Sequence, residues 1–529
     1  MTPHDRPLFL HLSNRLEWLA EQLADDLAED AAAPMTQQGI VVANHESSRW
    51  LSLQVARRRG LSMGLRFPFP RGMVDELTTA LLGTEQRCSP CFSRSAMTWW
   101  LYDRLPRFLD DPHFAPVRHY LRDGADIRRF ELITRIAGLF DQYQIYRPDQ
   151  LRGWESARSI GERPNDGLAT DTLPGETWQA LLWRALRAEF PGAISFVDLH
   201  AKMAALDEQQ IAAAPLPERL RIFGVNSLPP AFLDIFWKVA VRTRIDVYAL
   251  SPTAEYWSDL RTRKEQLRAG GTFDDDQHMP LAASLGRLGR DLLEQLFAKD
   301  FQQVSERFDV GHERTALGRL QADLCSLENH SGHSPQLDDG SLEVHCCHSR
   351  MREVEVLHDR LLAAFQDDPS LRPRDVLIMA PDMNAYAPYV AAVFGAPENE
   401  TTRIPYSIAD QSSRSQLAII DAFLHVLHLA SSRFTAAEVI ATLECEPIRR
   451  HFKLTDTDLE RIRRWLIDCG VVWALDAAHR ARLGFTPDSE FSFAHGTATL
   501  LDGYAMNGAG PRLHGARLPY EDLEGDHLD

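Results

Sequence analysis

Pro7-Leu8-Phe9-Leu10-His11-Leu12, followed by Ser13-Asn14-Arg15-Leu16, is the stretch of sequence from which the fold can be predicted. The first six residues form a short, mostly apolar run behind a proline, which is typical of a buried strand. Ser13 and Asn14 are helix N-cap candidates, and Glu17 stands three residues after Asn14, which is the spacing of a capping box. Apolar residues then recur at helical spacing, at Leu16, Leu19, Ala20, Leu23 and Leu27.

A strand, a turn and a helix in this order suggest a nucleotide-binding α/β domain, in which the turn holds phosphate with a Gly-rich loop, a Lys and a Ser or Thr. Here the turn Leu12-Ser13-Asn14-Arg15 contains no Gly and no Lys. An ATPase also needs an acidic residue at the end of a neighbouring strand to hold Mg²⁺. The best candidate strand, Ile222-Phe223, continues instead into Gly224-Val225-Asn226. The sequence therefore predicts the scaffold of such a site without a working ATP site or a bound cofactor.

The same alternation of strand and helix continues along the chain. Gly39–Asn44 is predicted as a second strand, and the helix after it should end at Gly60. Strand signals return at Arg219–Val225 and at Ile245–Leu250. This succession predicts a parallel α/β domain. The region from about 91 to 183 is helical in character, which predicts an inserted helical subdomain with a helix boundary at Pro148.

The last third of the chain starts as α/β again, after a polar stretch at 329–341 that we interpret as a domain boundary. Leu342–Cys346 alternates like a strand, Arg350–Phe365 has the pattern of an amphipathic helix, and Asp375–Ala380 is predicted as a buried strand. From about residue 412 the sequence is mainly helical.

Length, charge and cysteine content narrow the class of protein. The 529 residues are enough for several domains. The net charge of −18 has the wrong sign for a protein that coats DNA, although it permits a local basic groove. Seven dispersed cysteines argue for a reducing compartment rather than a disulfide framework. Because no signal peptide or membrane-spanning run is recognisable, we expect a soluble, cytoplasmic protein without a membrane partner.

Clusters that could carry chemistry favour ordinary structural explanations. Cys88-Ser89-Pro90-Cys91 has metal-ligand spacing but no second pair, so incidental loop thiols are the preferred interpretation. Cys346 and Cys347 lie between two histidines, but strand alternation would point them to opposite faces of a core strand. The acidic runs Asp274-Asp275-Asp276 and Asp338-Asp339 are expected to be solvated. The sequence therefore predicts no catalytic residue and no metal site.

Two stretches suggest contact with nucleic acid. Arg57-Arg58-Arg59 ends the second predicted helix, and Arg66 and Arg71 flank Phe67-Pro68-Phe69-Pro70. Interleaved arginines and aromatics suit single-strand binding, but a helix end followed by a Pro-rich core turn explains them equally well. Asp141, Gln142 and Arg147 could read base edges, although from the sequence alone a capped helix end is the preferred explanation.

At this point the sequence resembles a known family, RecC, the gamma subunit of bacterial exodeoxyribonuclease V. The resembling segments follow the family order from near residue 8 to near residue 520. They are His11–Leu16, Leu139–Tyr143, Tyr146–Asp149, Ser227–Pro230, Leu288–Asp291, Cys347–Ser349, Arg352–Leu362, Pro405–Ile408 and Gly503–Met506.

The resemblance implies a fold of two tandem parallel-sheet domains shaped like a superfamily 1 helicase that has lost its ATP motifs, with large inserted helical subdomains. The expected divisions are 1–88 as the first part of domain 1A, 89–214 as helical subdomain 1B, 215–335 as the rest of 1A, 336–411 as domain 2A, and 412–529 as a truncated helical 2B-like region. Family members continue well beyond this length, so a truncation, a split gene and a fragment remain open alternatives.

The resemblance also implies a function. A RecC-like chain is a non-catalytic DNA-binding subunit that joins RecB-like and RecD-like subunits, which use ATP and Mg²⁺, in a heterotrimer that acts on double-stranded DNA ends. It guides single-stranded DNA and scans it for the regulatory sequence Chi. The alternatives are an autonomous ATP-dependent helicase or nuclease, and a scaffold fragment that only assembles.

The Chi-binding residues of the family carry over in part. Leu139, Asp141, Gln142 and Arg147 match the family pattern, and Arg49 and Phe69 occupy two further positions of the expected DNA site. Several positions differ from the best-known members. His45 and Arg49 replace other polar residues, Phe69 replaces an aliphatic residue, Asp75 replaces a Trp, Gly138 replaces an acid, and Phe196 falls near an expected Arg. A different recognition sequence, or none, is therefore an open alternative.

Overall fold

The computed structural model describes residues 7–29, 37–122, 126–156, 177–268, 279–311, 314–328, 339–396, 402–409, 417–506, 513–515 and 517–520. The predicted loop at 270–277 and most of the predicted boundary at 329–341 lie outside these residues. The chain separates into two compact units, Met1–Glu343 and Val344–Asp529. Each unit is described by itself.

The first unit is built on a six-stranded parallel sheet with the strand order β3-β2-β4-β5-β1-β6. The α/β prediction is therefore confirmed. The predictions missed β3 and β6, because the first has only two residues and the second is mostly polar. The strands are β1 (Leu8–Ser13), β2 (Gln38–Val41), β3 (Leu65–Arg66), β4 (Arg219–Phe223), β5 (Arg244–Leu250) and β6 (Gln303–Arg307).

Helices cover the sheet and form the insert of the first unit. As predicted, the inserted region from about 91 to 183 is built of helices in its described residues, and no strand lies between β3 and β4 there. The helices are α1 (Leu16–Glu29), α2 (His45–Arg59), α3 (Pro70–Leu82), α4 (Arg94–Arg104), α5 (Ala115–Tyr120), α6 (Asp126–Tyr146), α7 (Pro148–Ser156), α8 (Thr177–Glu189), α9 (Phe196–Ala205), α10 (Glu208–Ala213), α11 (Pro230–Val239), α12 (Arg263–Arg268), α13 (Pro280–Leu285), α14 (Arg287–Phe297) and α15 (Ala316–Ser326).

The opening strand, β1, lies inside the sheet rather than at its edge. Leu10 is aligned with Val247 on β5 and with Val304 on β6, so β1 has a parallel neighbour on each side. Leu8, Leu10 and Leu12 are all buried. An apolar run of this kind is typical of a parallel strand whose two faces are both covered.

The predicted helix after β1 exists, but the predicted capping box is wrong. The helix α1 begins at Leu16, and the apolar residues of its predicted stripe are buried from Leu19 onward. The Ser13 hydroxyl accepts a hydrogen bond from the Arg15 backbone N–H at 3.0 Å, which makes a local turn. The side chain of Asn14 bonds to the backbone of Asp309. The sequence pattern could not reveal that distant partner, which lies next to Asn14 only in the folded sheet.

The helical insert has its own core. Phe114, Phe140 and Trp183 are fully buried in it, together with the apolar stripe of α4 at Met97 and Leu101 and that of α6 at Ile133 and Ala137. As predicted, α6 ends just before Pro148, and this proline then opens α7. The second predicted helix likewise ends at Gly60, which has φ of +77° in the left-handed region.

A buried carboxylate, Asp246 on β5, is the centre of a charge network in the sheet. Its side chain is fully buried, and guanidinium nitrogens of Arg244 and Arg219 lie 2.8 Å and 3.3 Å from its oxygens. The imidazole Nε2 of His11 on β1 lies 3.9 Å away. Burial alone would raise the pKa of Asp246, but His11 and the two arginines more than offset this effect, and the pKa is lowered from its ordinary value of 3.8.

His11 extends this network across three strands and one helix. Its ring stacks on Tyr248 of β5 at a centroid distance of 4.6 Å, and its Nδ1 lies 2.7 Å from the Ser305 hydroxyl of β6. The Tyr248 hydroxyl donates a hydrogen bond to Asp26 of α1. The network therefore links α1, β1, β5 and β6 through polar groups that have little access to water.

The regular secondary structure of the second unit, in its described residues, consists of helices joined by irregular segments. Ser349 caps its first helix by accepting a hydrogen bond from the Arg352 N–H at 3.3 Å, and a small core joins Val354, Val390, Phe394 and Ile404. Its helices are α16 (Arg350–Asp367), α17 (Met383–Gly395), α18 (Ala418–Ser431), α19 (Ala436–Glu444), α20 (Glu446–Phe452), α21 (Asp456–Asp468), α22 (Ala477–Arg482) and α23 (Phe493–Ala505). In the described part of the chain, no helix combines the length and apolar character needed to cross a bilayer.

The two strands predicted around α16 are absent, so those predictions are wrong for this structure. The described residues after Arg307 contain no strand; 342–346 and 376–380 are irregular, and Asp375 ends a 3-10 turn. Val344, Leu377 and Met379 are 92%, 80% and 83% exposed. The prediction that Cys346 belongs to a core strand is also wrong, because this residue is exposed. A strand requires a hydrogen-bonded neighbour, and the described residues supply none here.

Replacing Asp246 with Ala should lower the free energy of unfolding by about 3–5 kcal/mol, because the arginines around it would lose their buried partner. Urea unfolding at neutral pH measures this change. Asp25→Ala is the control, since Asp25 pairs with Arg58 on the surface and its removal should have little effect. Equal effects of the two substitutions would contradict the assigned role of Asp246.

The contribution of Asp246 to stability should also depend on pH. Because folding lowers the pKa of Asp246, its contribution to stability is complete above the ordinary value of 3.8 and is lost as the pH falls below it. The difference in unfolding free energy between wild type and Asp246→Ala should therefore be constant from about pH 7 to about pH 5 and shrink below about pH 4. A difference that widened on acidification would be inconsistent with a lowered pKa.

Candidate DNA-binding surface of the first unit

The turn after β1, where a nucleotide-binding domain would hold phosphate, is joined to a distant segment. The Asn14 side-chain amide donates to the Asp309 backbone oxygen at 2.7 Å, and its carbonyl accepts from the Asp309 N–H at 2.9 Å. Arg15 forms an ion pair with the Asp309 carboxylate. A phosphate site needs backbone N–H groups that point at the ligand and a cation beside them. Here an acidic residue and its backbone lie against the turn.

The carboxyl end of β5, next to this turn, is also filled by protein groups. The Ser251 N–H donates to the Ser13 backbone oxygen at 2.9 Å, and the Ser251 hydroxyl donates to the Thr253 backbone oxygen at 2.8 Å. The Thr253 hydroxyl in turn donates to the backbone oxygen of Cys325 in α15 at 2.9 Å. Ligands of open α/β sheets bind at the carboxyl ends of strands, and these bonds bring the 251–254 segment and α15 to that edge.

The predicted DNA residues of the helical insert lie around the carboxyl end of α6. Leu139 and Gln142 are one turn apart on its exposed face, and Asp141 is half-buried beside them. Arg147 follows the last residue of α6 and is exposed, with its guanidinium 5.5 Å from the centre of the Tyr143 ring. The structure thus places these four predicted residues within the last two turns of α6 and directly after it. It offers an apolar side chain, an amide and a cation to solvent.

A buried glutamine anchors this helix end. The Gln144 amide nitrogen donates to the Phe92 backbone oxygen at 3.4 Å, and its carbonyl accepts from the Phe196 N–H at 3.3 Å. Gln144 is only 3% exposed, unlike its neighbour Gln142. The anchor holds α6 against the start of α9. Sequence reasoning missed it, because nothing in the pattern distinguished Gln144 from Gln142 except the register of the helix.

Arg49 and Phe69 form a second exposed group, at the carboxyl end of β2. The rings of Phe69 and His45 meet edge to face at 4.8 Å, and Arg49 follows His45 by one helical turn on α2. Phe69 occupies the N-cap position of α3, where the Pro68 oxygen accepts a hydrogen bond from the Val42 N–H at 3.2 Å. An exposed aromatic ring beside an exposed guanidinium is suited to stacking on a base and contacting a phosphate.

The two groups are connected through a buried phenylalanine rather than by direct contact between their predicted residues. The Arg71 guanidinium on α3 lies 4.9 Å from the centre of the Phe196 ring, and the Phe196 N–H bonds to Gln144 of α6. Phe69 precedes Arg71 by two residues. Phe196 therefore occupies a structural position between the two groups, and at 1% exposure its ring is not available to DNA.

The arginines near the Pro-rich turn are less available than the sequence suggested. Arg66 makes a two-pronged ion pair with Glu76, and Arg71 lies 3.4 Å from Asp75. An open cavity of about 580 Å³ adjoins them and is lined by both acids as well as by Arg71 and Arg87. Its mixed charge does not favour phosphate. Of the predicted basic stretches, the exposed Arg57-Arg58-Arg59 end of α2 remains at the surface, with Arg58 bound to Asp25.

Cysteine chemistry receives no support at the positions singled out in the sequence. Burial raises the pKa of the Cys88 thiol to about 11, and burial also raises that of Cys91. A raised thiol pKa disfavours the thiolate that nucleophilic chemistry needs. The Arg71 guanidinium lies 3.7 Å from the Cys88 sulfur, which places this thiol in the packing around α3.

An aromatic cluster that the sequence pattern did not predict lies at the surface of the helical insert. Trp99, Tyr102 and Phe130 contact one another at centroid distances of 5.8–6.3 Å, and the Arg129 guanidinium lies 4.3 Å from the Tyr102 ring. Trp99 is 63% exposed. The sequence contained a signal, since Trp99 falls outside the apolar stripe of α4. Its proximity to α6 is a property of the tertiary structure alone.

Comparison with known proteins gives this surface a family context. A family model described as the RecC N-terminal domain matches residues 8–327, and a second one, the RecBCD enzyme subunit RecC fourth domain, matches residues 416–529. The first match alone covers more than half of the chain. The chain belongs to the RecC family. The surface at the end of α6 and the turn after β1 both lie within the match to the RecC N-terminal domain.

Individual relatives agree with the family match. The chain is 30% identical to the RecBCD enzyme subunit RecC of Escherichia coli, over 98% of this chain and 49% of that protein. Subunits with the same name from Haemophilus influenzae and Mycolicibacterium smegmatis are also 30% identical, over 94% and 99% of this chain and 48% of each relative. The chain thus spans about half the length of the curated relatives it matches.

We predict that Gln144→Leu destabilises the first unit, because the buried Phe92 oxygen and Phe196 N–H would both lose their partner. The expected loss is about 1–3 kcal/mol of unfolding free energy, measured by urea denaturation. The matched control is Gln142→Leu, two residues earlier on the exposed face, which should change stability little. Equal stability of the two variants would show that the buried hydrogen bonds of Gln144 do not stabilise the first unit.

Proposed function

We propose that this chain is a non-catalytic DNA-binding and Chi-recognition subunit of an ATP-dependent helicase and exodeoxyribonuclease complex that repairs double-strand breaks by recombination. The observation that carries the proposal is the match to the RecC N-terminal domain over residues 8–327, on a sheet whose first turn bonds to Asp309. The parallel sheet keeps the scaffold of a nucleotide-binding domain but lacks the groups that hold phosphate. This suits a subunit that binds DNA while partner subunits hydrolyse ATP and move along the DNA.

The proposed DNA contacts are the two exposed groups of the first unit. Leu139, Gln142 and Arg147 offer apolar contact, an amide and a cation from the end of α6, with Asp141 beside them. Amide and guanidinium groups are the usual readers of base edges, and they are effective on strands whose bases are already unpaired. Arg49 and Phe69 form the second group, where phosphate contact and stacking would hold the strand without reading it.

The proposed partners are RecB-like and RecD-like subunits, which would bind ATP and Mg²⁺, and the proposed substrates are double-stranded DNA ends and single-stranded DNA. The relatives named above support this assembly, since each is called a subunit of the RecBCD enzyme. In this proposal the motor activity belongs to the partners. This chain would work in the cytoplasm, where the DNA is.

We further propose that the two units contain tandem helicase-like domains. Residues 1–88 and 215–335 would form domain 1A around the six-stranded sheet, and 89–214 would be the inserted subdomain 1B. Residues 336–411 would belong to domain 2A, and 412–529 to a 2B-like region. The start of the last division lies close to residue 416, where the match to the RecC fourth domain begins.

The exposed apolar segments beside α16 support a domain 2A whose strands find their partners outside the described residues. Val344, Leu377 and Met379 have the composition of buried parallel strands, and α16 connects the two segments as a crossover helix would. The curated relatives are about twice as long as this chain. We propose that these segments become strands when polypeptide equivalent to the remaining part of the relatives pairs with them.

Two other functions compete with this proposal. An autonomous ATP-dependent helicase or nuclease is favoured only by the general shape of the sheet. An assembly scaffold with a decayed DNA path is favoured by the pairing of Arg66 and Arg71 with acids. The exposed cation and amide at the end of α6 favour DNA contact over pure assembly.

A DNA-dependent ATPase assay on the full chain alone separates the subunit from the autonomous enzyme. We expect no stimulation of ATP hydrolysis by duplexes with single-stranded tails, because Asn14 and Arg15 stand where phosphate would be held. An Asn14→Ala variant, purified in the same way, is the control. The activity of a contaminating ATPase would be the same in the wild-type and variant preparations. Hydrolysis that scales with protein and disappears in Asn14→Ala would overturn the proposal.

Arg147→Ala should weaken binding of a duplex with a 3′ single-stranded tail, measured by fluorescence anisotropy. The loss of one cationic contact is expected to cost about 1–3 kcal/mol of binding free energy, which is a decrease of roughly 5- to 150-fold in affinity, together with a smaller salt slope. Arg107→Ala is the matched control, because Arg107 is an exposed cation of the same helical insert away from α6. Equal losses in the two variants would point to non-specific attraction.

Hydrogen exchange tests whether residues 375–380 are unpaired in this chain and form a strand in a full-length relative. Amides of residues 375–380 should exchange rapidly in this chain, whereas those of β4 and β5 should be protected, because only the latter have neighbouring strands. In a full-length relative, the amides that align with 375–380 should be as slow as those of its first sheet. Fast exchange in both proteins would show that these segments are loops.

A further inference from the structure

Three side chains of different chemistry meet in the second unit, in a region that the proposed function does not use. Asp421 and His425 lie one turn apart on α18, and Cys445 lies at the junction of α19 and α20. One donor atom from each residue, a carboxylate oxygen, an imidazole nitrogen and the thiol sulfur, lies within 4.8 Å of the other two. Among the described residues, this is the one such group of three or more potential metal ligands.

The separation of these atoms fits a shared ion better than direct bonding. The His425 Nε2 and an Asp421 oxygen are 3.6 Å apart, which is beyond a normal hydrogen bond. Two ligands at about 2.0–2.1 Å from a tetrahedral zinc ion are separated by roughly 3.3–3.4 Å, and a sulfur ligand lies slightly farther from its neighbours. Binding therefore requires side-chain rotations that shorten separations of up to 4.8 Å to these distances.

The backbone positions suit a fixed site. Asp421 and His425 face the same way, because residues four apart on a helix are neighbours on one face. Cys445 ends α19 and precedes Glu446, the first residue of α20, so its backbone is held by two helices. All three side chains are half-buried, which leaves room for a fourth ligand from solvent.

We propose that Asp421, His425 and Cys445 bind a zinc-like divalent transition metal ion, with water as the fourth ligand. One oxygen, one nitrogen and one sulfur donor form a borderline-soft set, which suits Zn²⁺ and not the hard ions Mg²⁺ and Ca²⁺. The ion joins α18 to the junction of α19 and α20. This site is independent of DNA binding and of the function proposed for the first unit.

The alternative explanation is an ordinary surface pair, His425 with Asp421, beside an incidental thiol. The Cys445 thiol does have a local partner, since it lies 3.5 Å from the Ala441 backbone oxygen. That contact is weak, and it would be given up on metal binding, because a ligating thiol releases its proton. The two explanations differ in whether the sulfur, the nitrogen and the oxygen act together.

Cobalt substitution distinguishes them. The full chain, purified with a chelator and then freed of it, is titrated with Co²⁺ while its absorption spectrum is recorded. We expect one equivalent to produce the sulfur-to-cobalt charge-transfer band and the visible bands of tetrahedral Co²⁺, and one equivalent of Zn²⁺ to abolish them. Absence of these bands, or six-coordinate Co²⁺ without sulfur, would overturn the proposal.

Matched variants locate the site. Cys445→Ser should remove the charge-transfer band, and Asp421→Asn and His425→Gln should each weaken Co²⁺ binding at least tenfold. Cys346→Ser is the control, because Cys346 is an exposed thiol of the same unit with histidines nearby in sequence. Loss of the band in the control, and not in Cys445→Ser, would assign the metal elsewhere and refute the site.

A stability measurement keeps the test independent of folding defects in a single variant. Zn²⁺ should raise the thermal unfolding midpoint of the wild-type chain and leave that of Cys445→Ser unchanged, because only a bound ion stabilises the native state. Circular dichroism establishes that the variant is folded before the metal is added. Equal shifts in the two proteins would mean that Zn²⁺ binds outside this cluster.

Discussion

The buried carboxylate of Asp246 is the interaction on which the sheet of the first unit depends. A charge without access to water is unfavourable unless oppositely charged groups surround it. Arg219, Arg244 and His11 surround it here, and they come from three different strands. The network therefore fixes which strands are neighbours, in addition to the apolar packing that any parallel sheet provides. It stabilises β1 in the interior of the sheet, between β5 and β6.

The position of β1 explains why its turn has a structural use. Asn14 joins the turn to Asp309, just after β6, and Ser251 joins it to the end of β5. These bonds stabilise an edge of the sheet that binds phosphate in related architectures. The groups that face DNA in our proposal do not include this turn. They lie at the ends of α2 and α6, where helices supported by the sheet present side chains to solvent. Gln144 and Phe196 join the end of α6 to α9 through buried contacts, and Arg71 of α3 packs on the Phe196 ring.

The second unit shows what happens to strand sequences without neighbours. Leu377 and Met379 have the apolar character of a central strand, yet they are largely exposed. Burial of such residues stabilises a sheet only when backbone hydrogen bonds are satisfied at the same time. The helices of this unit are less affected, since a helix satisfies its own backbone. The cluster of Asp421, His425 and Cys445 lies among these helices, where a shared ion would add a constraint that their modest apolar contacts do not provide.

The sequence by itself determined the local structure of this protein. The apolar run at residues 7–12, the stripe of α1, Gly60 after α2 and Pro148 after α6 all act through the nearest few residues, and each was predicted correctly. It also carried the RecC resemblance, and with it the four candidate residues at the end of α6. Tertiary structure alone decided the partner of Asn14, the burial of Gln144 beside the exposed Gln142, the pairing of Arg66 and Arg71 with acids, and the meeting of Cys445 with His425. The physical reason is range, because helix and turn propensities act over about four residues, whereas buried charges, sheet neighbours and metal ligands join residues that are distant in the chain.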